Sequence, residues 1–125
     1  MFKLLLVEDE PAISEMYQFK FRKEGFSVAA AFNGQEGLEA CKTQQPDIIL
    51  LDLRMPVMSG DEMLKQLRQT DWGAAIRVVI LTNISRDEAP HALRLLNVER
   101  YIVKSHHTPA QVVSIVKEIL DIKQG

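Results

Sequence analysis

The chain has 125 residues and a mass of 14.2 kDa, the size of one domain. Its composition, 46% hydrophobic and 26% charged with a formal charge of −2, excludes a disordered chain and a strongly basic protein that binds phosphate backbones. A single cysteine, Cys41, excludes an internal disulfide or a cysteine-based zinc cluster, and no apolar run approaches the roughly 20 residues that span a bilayer.

The apolar stretch ahead of Glu8 and Asp9 is too short for a secretory signal core, so a cytoplasmic, soluble protein is expected. Phe2 to Val7 reads as the first strand. A helix follows Pro11, with Ile13, Met16, Tyr17 and Phe21 at i, i+3, i+4 spacing and Gly25 closing it. Phe26 to Phe32 is a second strand, and a second helix begins after Asn33-Gly34 and runs to about Lys42. Asp47 to Leu51 (DIILL) is a third strand, followed by a helix that starts at a Ser59 N-cap and ends near Thr70. Arg77 to Leu81 is a fourth strand. A helix over roughly Asp87 to Leu96 follows, with Pro90 inside it. Tyr101 to Val103 is a short fifth strand. Thr108-Pro109 opens a fifth helix that carries Val112, Val113, Val116, Ile119 and Leu120 on one face. Short apolar runs without polar alternation are strands buried on both faces. Five of them alternating with helices predict an α/β doubly wound parallel sheet in a single domain, residues 1–125.

Ligands bind such sheets beyond the carboxyl ends of the strands. Glu8-Asp9 follow the first strand, Asp52 the third, Thr82 the fourth and Lys104 the fifth. Three carboxylates brought together repel one another, which raises a pKa or demands a cation. Oxygen donors alone suit a hard divalent ion such as magnesium, Mg²⁺, and no His or Cys is placed to favour zinc. With an ammonium and a hydroxyl beside them, the set describes phosphoryl transfer with a carboxylate nucleophile, and Asp52 ends the central strand.

The segments LLLVEDEP, DIILLDLRMPVMSGDEML, VVILT and YIVKS together resemble the receiver domain of bacterial two-component response regulators, of the chemotaxis-regulator type. The resemblance covers essentially the whole chain. It implies a flavodoxin-like sheet order 2-1-3-4-5 with five helices. It also implies that Asp52 is the phosphoacceptor and that Glu8, Asp9, Asp52 and the backbone carbonyl of Arg54 hold Mg²⁺. Lys104 would pair with the phosphoryl group, Thr82 would be the switch hydroxyl, and Tyr101 the aromatic that reports activation. The implied donors are a histidine kinase, a phosphotransfer protein or small acyl phosphates. The implied output surface, for a partner protein or a second copy, is the face of the fourth helix, fifth strand and fifth helix, over Arg86 to Leu96 and Thr108 to Lys123.

Two departures stand out. Ser105 follows Lys104 where the family usually has proline, which leaves the geometry of Ser105-His106-His107 open, and Asn97 stands where glycine is common. Arg54 and Ile84 flank the site and are expected to tune the lifetime of the acyl phosphate. His106-His107 read as solvated residues and Cys41 as a small core residue; Met55, Met58 and Met63 read as packing. The chain is expected to be a signalling module without turnover of an external substrate, binding neither nucleic acid nor membrane. It would act alone by protein contact or be a fragment of a longer regulator. The alternatives are an aspartate-nucleophile phosphatase, which usually wants a carboxylate where Arg54 stands, and a receiver-like dimerisation module that is never phosphorylated.

Overall fold

A computed structural model describes residues 1–122. Five parallel strands lie in the order β2-β1-β3-β4-β5: β1 (Lys3–Val7), β2 (Ser27–Ala31), β3 (Ile48–Leu51), β4 (Arg77–Thr82) and β5 (Val98–Val103). Four α-helices connect or follow them: α1 (Pro11–Lys23), α2 (Gly34–Gln44), α3 (Gly60–Arg68) and α4 (Pro109–Ile119).

The strands are apolar on both faces because both faces are covered. Leu4, Leu6, Ile48, Leu50, Val79 and Leu81 pack with Tyr17 and Phe21 of α1 and Val112 and Val116 of α4. The alternate residues Leu5, Val7, Ile49, Leu51, Val78 and Ile80 pack with Cys41 of α2 and Met63, Leu64 and Leu67 of α3. The period-2 pleat thus divides each apolar run between two cores.

Helix starts follow the expected chemistry. Asn33 and Ser59 accept the backbone N–H of Glu36 and Glu62, respectively. Thr108 and Gln111 form a reciprocal capping box around Pro109. Asp47, just ahead of β3, accepts the Lys3 N–H at 2.7 Å and so ties the amino ends of β1 and β3.

One expected helix is absent. Over the segment expected to be helical from Asp87 to Leu96 the backbone makes two 3₁₀ turns, Arg86–Glu88 and His91–Leu95. The count of α-helices among the described residues is therefore four, not five. Pro90 is the reason. It has no N–H to donate, and its ring drives Ala89 to an extended φ of −68° and ψ of 147°, which ends the first turn. The output face expected from a fourth helix is built from these turns instead, and Lys123 at its far end lies outside the described residues.

Asn97, standing before β5 where the family often has glycine, takes a left-handed φ of 54°, a conformation that asparagine tolerates. Val57 does so too, at 68°, although it is β-branched and 82% exposed. The Met58 N–H donates to the Pro56 carbonyl at 2.7 Å, closing a three-residue turn that holds Val57 in this strained conformation. Val57→Asn is therefore expected to raise stability by about 1 kcal/mol, read as a higher denaturant midpoint with an unchanged slope. An unchanged or lower midpoint would show that the loop relaxes around Val57 without strain.

Candidate functional site

Strand register brings the site together. Val7 pairs with Leu51, so Glu8 and Asp52 leave the sheet at the same level, and the Asp52 N–H donates to the Val7 carbonyl at 3.0 Å. Leu51 pairs with Ile80, and Thr82 pairs with Val103, which places Lys104 just past the end of β5. Asp9, Asp52, Arg54, Thr82 and Lys104 then line one cleft of about 360 Å³ at the carboxyl edge. Glu8 is 2% exposed and Asp52 7% exposed, and a carboxylate oxygen from each of Glu8, Asp9 and Asp52 falls within 4.8 Å of the others.

Lys104 holds two of these groups. Its Nζ donates to Asp52 Oδ2 at 3.0 Å and also to Glu8 Oε1. The remaining oxygens are oriented by backbone, with the Leu53 N–H on Asp52 Oδ1 at 2.7 Å and the Glu10 N–H on Glu8 Oε2 at 3.1 Å. Burial raises the Glu8 carboxyl above its ordinary range, against the lowering pull of its bond to Lys104. Burial alone would lower the Lys104 ammonium, but its bond to Glu8 and the charge of Asp52 prevail and raise it. Three acidic side chains therefore face one ammonium. Ionised, they leave two negative charges in excess within a few ångströms. The donors are all oxygen, and no His or Cys joins them among the described residues. Such a set fits a hard divalent cation.

Thr82 is fully buried, and its hydroxyl accepts the Ile84 N–H at 3.4 Å. Tyr101 lines a separate cleft with Arg86, His91, Arg94 and Arg100, and its hydroxyl reaches back to donate to the Ile84 carbonyl at 2.6 Å. The Arg86 guanidinium lies 5.8 Å from the centre of its ring. Tyr101 is thus tied to the segment after β4 rather than to the carboxylates. The Lys104–His106 segment forms a 3₁₀ turn, and the described residues contain no cis peptide.

Four cleft residues lie outside the sequence expectation, Glu10, Ser85, Asn83 and Glu88, and the last two carry the side-chain contacts that close the cleft wall. Glu88 accepts the Ser85 hydroxyl at 3.1 Å, and Asn83 Oδ1 accepts the Ser105 N–H at 3.1 Å. Both are polar residues on connecting segments, where no periodicity marks a side chain that turns inward. Their closeness to Thr82 in the sequence was the available signal.

The family model described as "Response regulator receiver domain" matches residues 4–117. The alkaline phosphatase synthesis transcriptional regulatory protein PhoP of Bacillus subtilis is 33% identical over 94% of this chain and 48% of its own length. Sporulation initiation phosphotransferase F of the same organism is 38% identical over 64% of this chain and 63% of its own. The chain spans about half the length of the transcriptional regulators PhoP and, from Rhizobium meliloti, PhoB, which it matches nearly end to end. Among solved structures, the chemotaxis response regulator CheY4 of Vibrio cholerae superposes with a TM-score of 0.86 at 25% identity, covering 95% of this chain and 98% of that one. Response regulator TrrA of Thermotoga maritima, solved in complex with Mg²⁺ and BeF, superposes with a TM-score of 0.82 at 28% identity, covering 94% and 98%.

Proposed function

The chain belongs to the response regulator receiver domain family, signalling modules of two-component systems, and from that premise we propose that residues 1–125 form one receiver domain whose phosphoacceptor is Asp52. The observation that carries this reading is the convergence of Glu8, Asp9 and Asp52 within 4.8 Å, with Lys104 bonded to two of them.

A carboxylate oxygen of Asp52 attacks the phosphorus of a phosphohistidine or an acyl phosphate. The P–N or P–O bond of the donor breaks, the donor keeps that electron pair, and an acyl phosphate forms on Asp52. The Leu53 N–H fixes the rotamer of Asp52 for this attack. Lys104 already sits against Asp52 Oδ2, where its ammonium meets the charge that develops on the incoming phosphoryl oxygens. Glu8, Asp9, Asp52 and the Arg54 carbonyl are the ligands proposed for Mg²⁺, which when bound supplies neutralisation of phosphoryl charge.

Thr82 is the proposed switch. Drawn towards the phosphoryl group, its hydroxyl leaves the Ile84 N–H and shifts the segment after β4. Tyr101 is bonded to the Ile84 carbonyl, so a shift of that segment moves the ring, and with it the face built from the 3₁₀ turns, β5 and α4. A coupling of roughly 1–3 kcal/mol suffices to change what that face binds. A histidine kinase or phosphotransfer protein is the proposed donor, and an output protein or a second copy the proposed recipient.

Removal of the cation tests the chemistry. Uptake of a phosphoryl group from acetyl phosphate, followed by intact mass, is expected to fall by ~100-fold when EDTA replaces Mg²⁺, the scale of the several kcal/mol that a divalent ion supplies to such a transfer. Uptake that continues undiminished under chelation would contradict the assigned role of the carboxylate cluster.

A further inference from the structure

The ladder between β4 and β5 ends at the Thr82–Val103 pair, one residue short of Lys104. Beyond it the chain enters the Lys104–His106 turn, whose backbone closure is the His107 N–H on the Lys104 carbonyl at 3.3 Å. The leading N–H groups of such a turn have no partner inside it. One of them is that of Ser105, and Asn83 supplies its acceptor at 3.1 Å. Asn83 follows Thr82 directly and lines the same cleft as Lys104. A side-chain bond thus adds one rung past the end of the strand ladder and spans from the residue after Thr82 to the residue after Lys104.

We propose that Asn83 is a positioning residue for Lys104, acting through the Ser105 amide. The inference rests on the phosphoacceptor reading of Asp52 and goes beyond it. Lys104 reaches Glu8 and Asp52 through a long, flexible side chain, so the placement of its ammonium depends on how firmly its backbone is held. The Asn83 clasp holds that backbone on its carboxyl side, while β5 holds it on the amino side. It also fixes the spacing between the Thr82 and Lys104 walls of the cleft. An amide donor at position 105 is indispensable to this arrangement; a proline there has none to give.

Two measurements on Asn83→Ala decide the matter. Hydrogen exchange of the Ser105 amide is expected to quicken in the variant, and exchange at the wild-type rate would overturn the clasp whether or not Asp52 is phosphorylated. Phosphoryl uptake from acetyl phosphate with Mg²⁺ is expected to slow about three- to tenfold, the weight of one neutral hydrogen bond. In a Lys104→Ala background the same Asn83 substitution is expected to cause no further slowing. Equal slowing in both backgrounds, or none in the wild-type background, would overturn action through Lys104. Failure of the wild-type chain to take up phosphoryl at all would instead overturn the phosphoacceptor reading, and the positioning role with it.

Discussion

Gly60→Ala is expected to destabilise the protein by about 3 kcal/mol and to slow phosphoryl uptake on the order of 10²-fold. A Cβ at position 60 would fall inside the van der Waals shell of the Asp52 carbonyl oxygen, 2.8 Å from the Asp52 carbonyl carbon and 3.0 Å from the Leu53 Cα. All three are backbone atoms, so no rotamer change relieves the clash. The Gly60 N–H also donates to the Leu53 carbonyl at 2.9 Å, which pins α3 against the two residues that the methyl would push away. The helix start or the Asp52 backbone must move, and a shift of the latter misplaces the carboxylate relative to Lys104. Gly25→Ala is the control. Gly25 has a φ of +93° with nothing within 4 Å of the added carbon, so its cost is backbone strain alone and its uptake rate stays at the wild-type value. A Gly60→Ala protein of normal stability and normal uptake would show that the tight packing of α3 on Asp52 is immaterial.

Arg68→Ala is expected to cost about 3 kcal/mol without touching the cleft. The Arg68 guanidinium, half-buried at the end of α3, donates to five backbone carbonyls from two segments. Gly73, Ala74 and Ile76 lead into β4, at 3.1, 3.3 and 2.7 Å; Leu96 and Asn97 lead into β5, at 2.8 and 2.9 Å. Charged donors make the stronger class of hydrogen bond, roughly 1.5–3 kcal/mol each, but water recovers part of that where the segments are open. Burial lowers the guanidinium below its ordinary pKa, with Glu99 opposing, yet it stays protonated at neutral pH. Arg68→Lys keeps the charge but not the planar fork, and is expected to recover less than half of the loss in denaturant unfolding. A loss below about 1 kcal/mol in the alanine variant would mean that solvent serves these carbonyls as well as the guanidinium does.

How much of this was legible in the sequence followed from where burial leaves a pattern. β1, β3 and β4 are covered on both faces and stand out as unbroken apolar runs. β5 is an edge strand, and Glu99 and Arg100 face solvent, so only Tyr101 to Val103 carried the apolar signal while the strand begins at Val98. The 86–96 segment has enough apolar residues to look helical, and the backbone rule at Ala89-Pro90 overrode that composition. The acidic and basic strand ends were readable because strand order converts positions far apart in sequence into neighbours. Asn83, Gly60 and Arg68 were not. Each acts on backbone atoms of another segment, and a contact of that kind has no periodicity of its own. Tyr101 was readable as a residue but not in its bond to Ile84, which depends on the path of the segment after β4.

Intact mass spectrometry after incubation with acetyl phosphate and Mg²⁺, on the wild-type chain and on Asp52→Asn side by side, tests the central claim most directly. The account predicts one phosphoryl adduct on the wild-type chain and none on the variant. An adduct of equal yield on Asp52→Asn would contradict it.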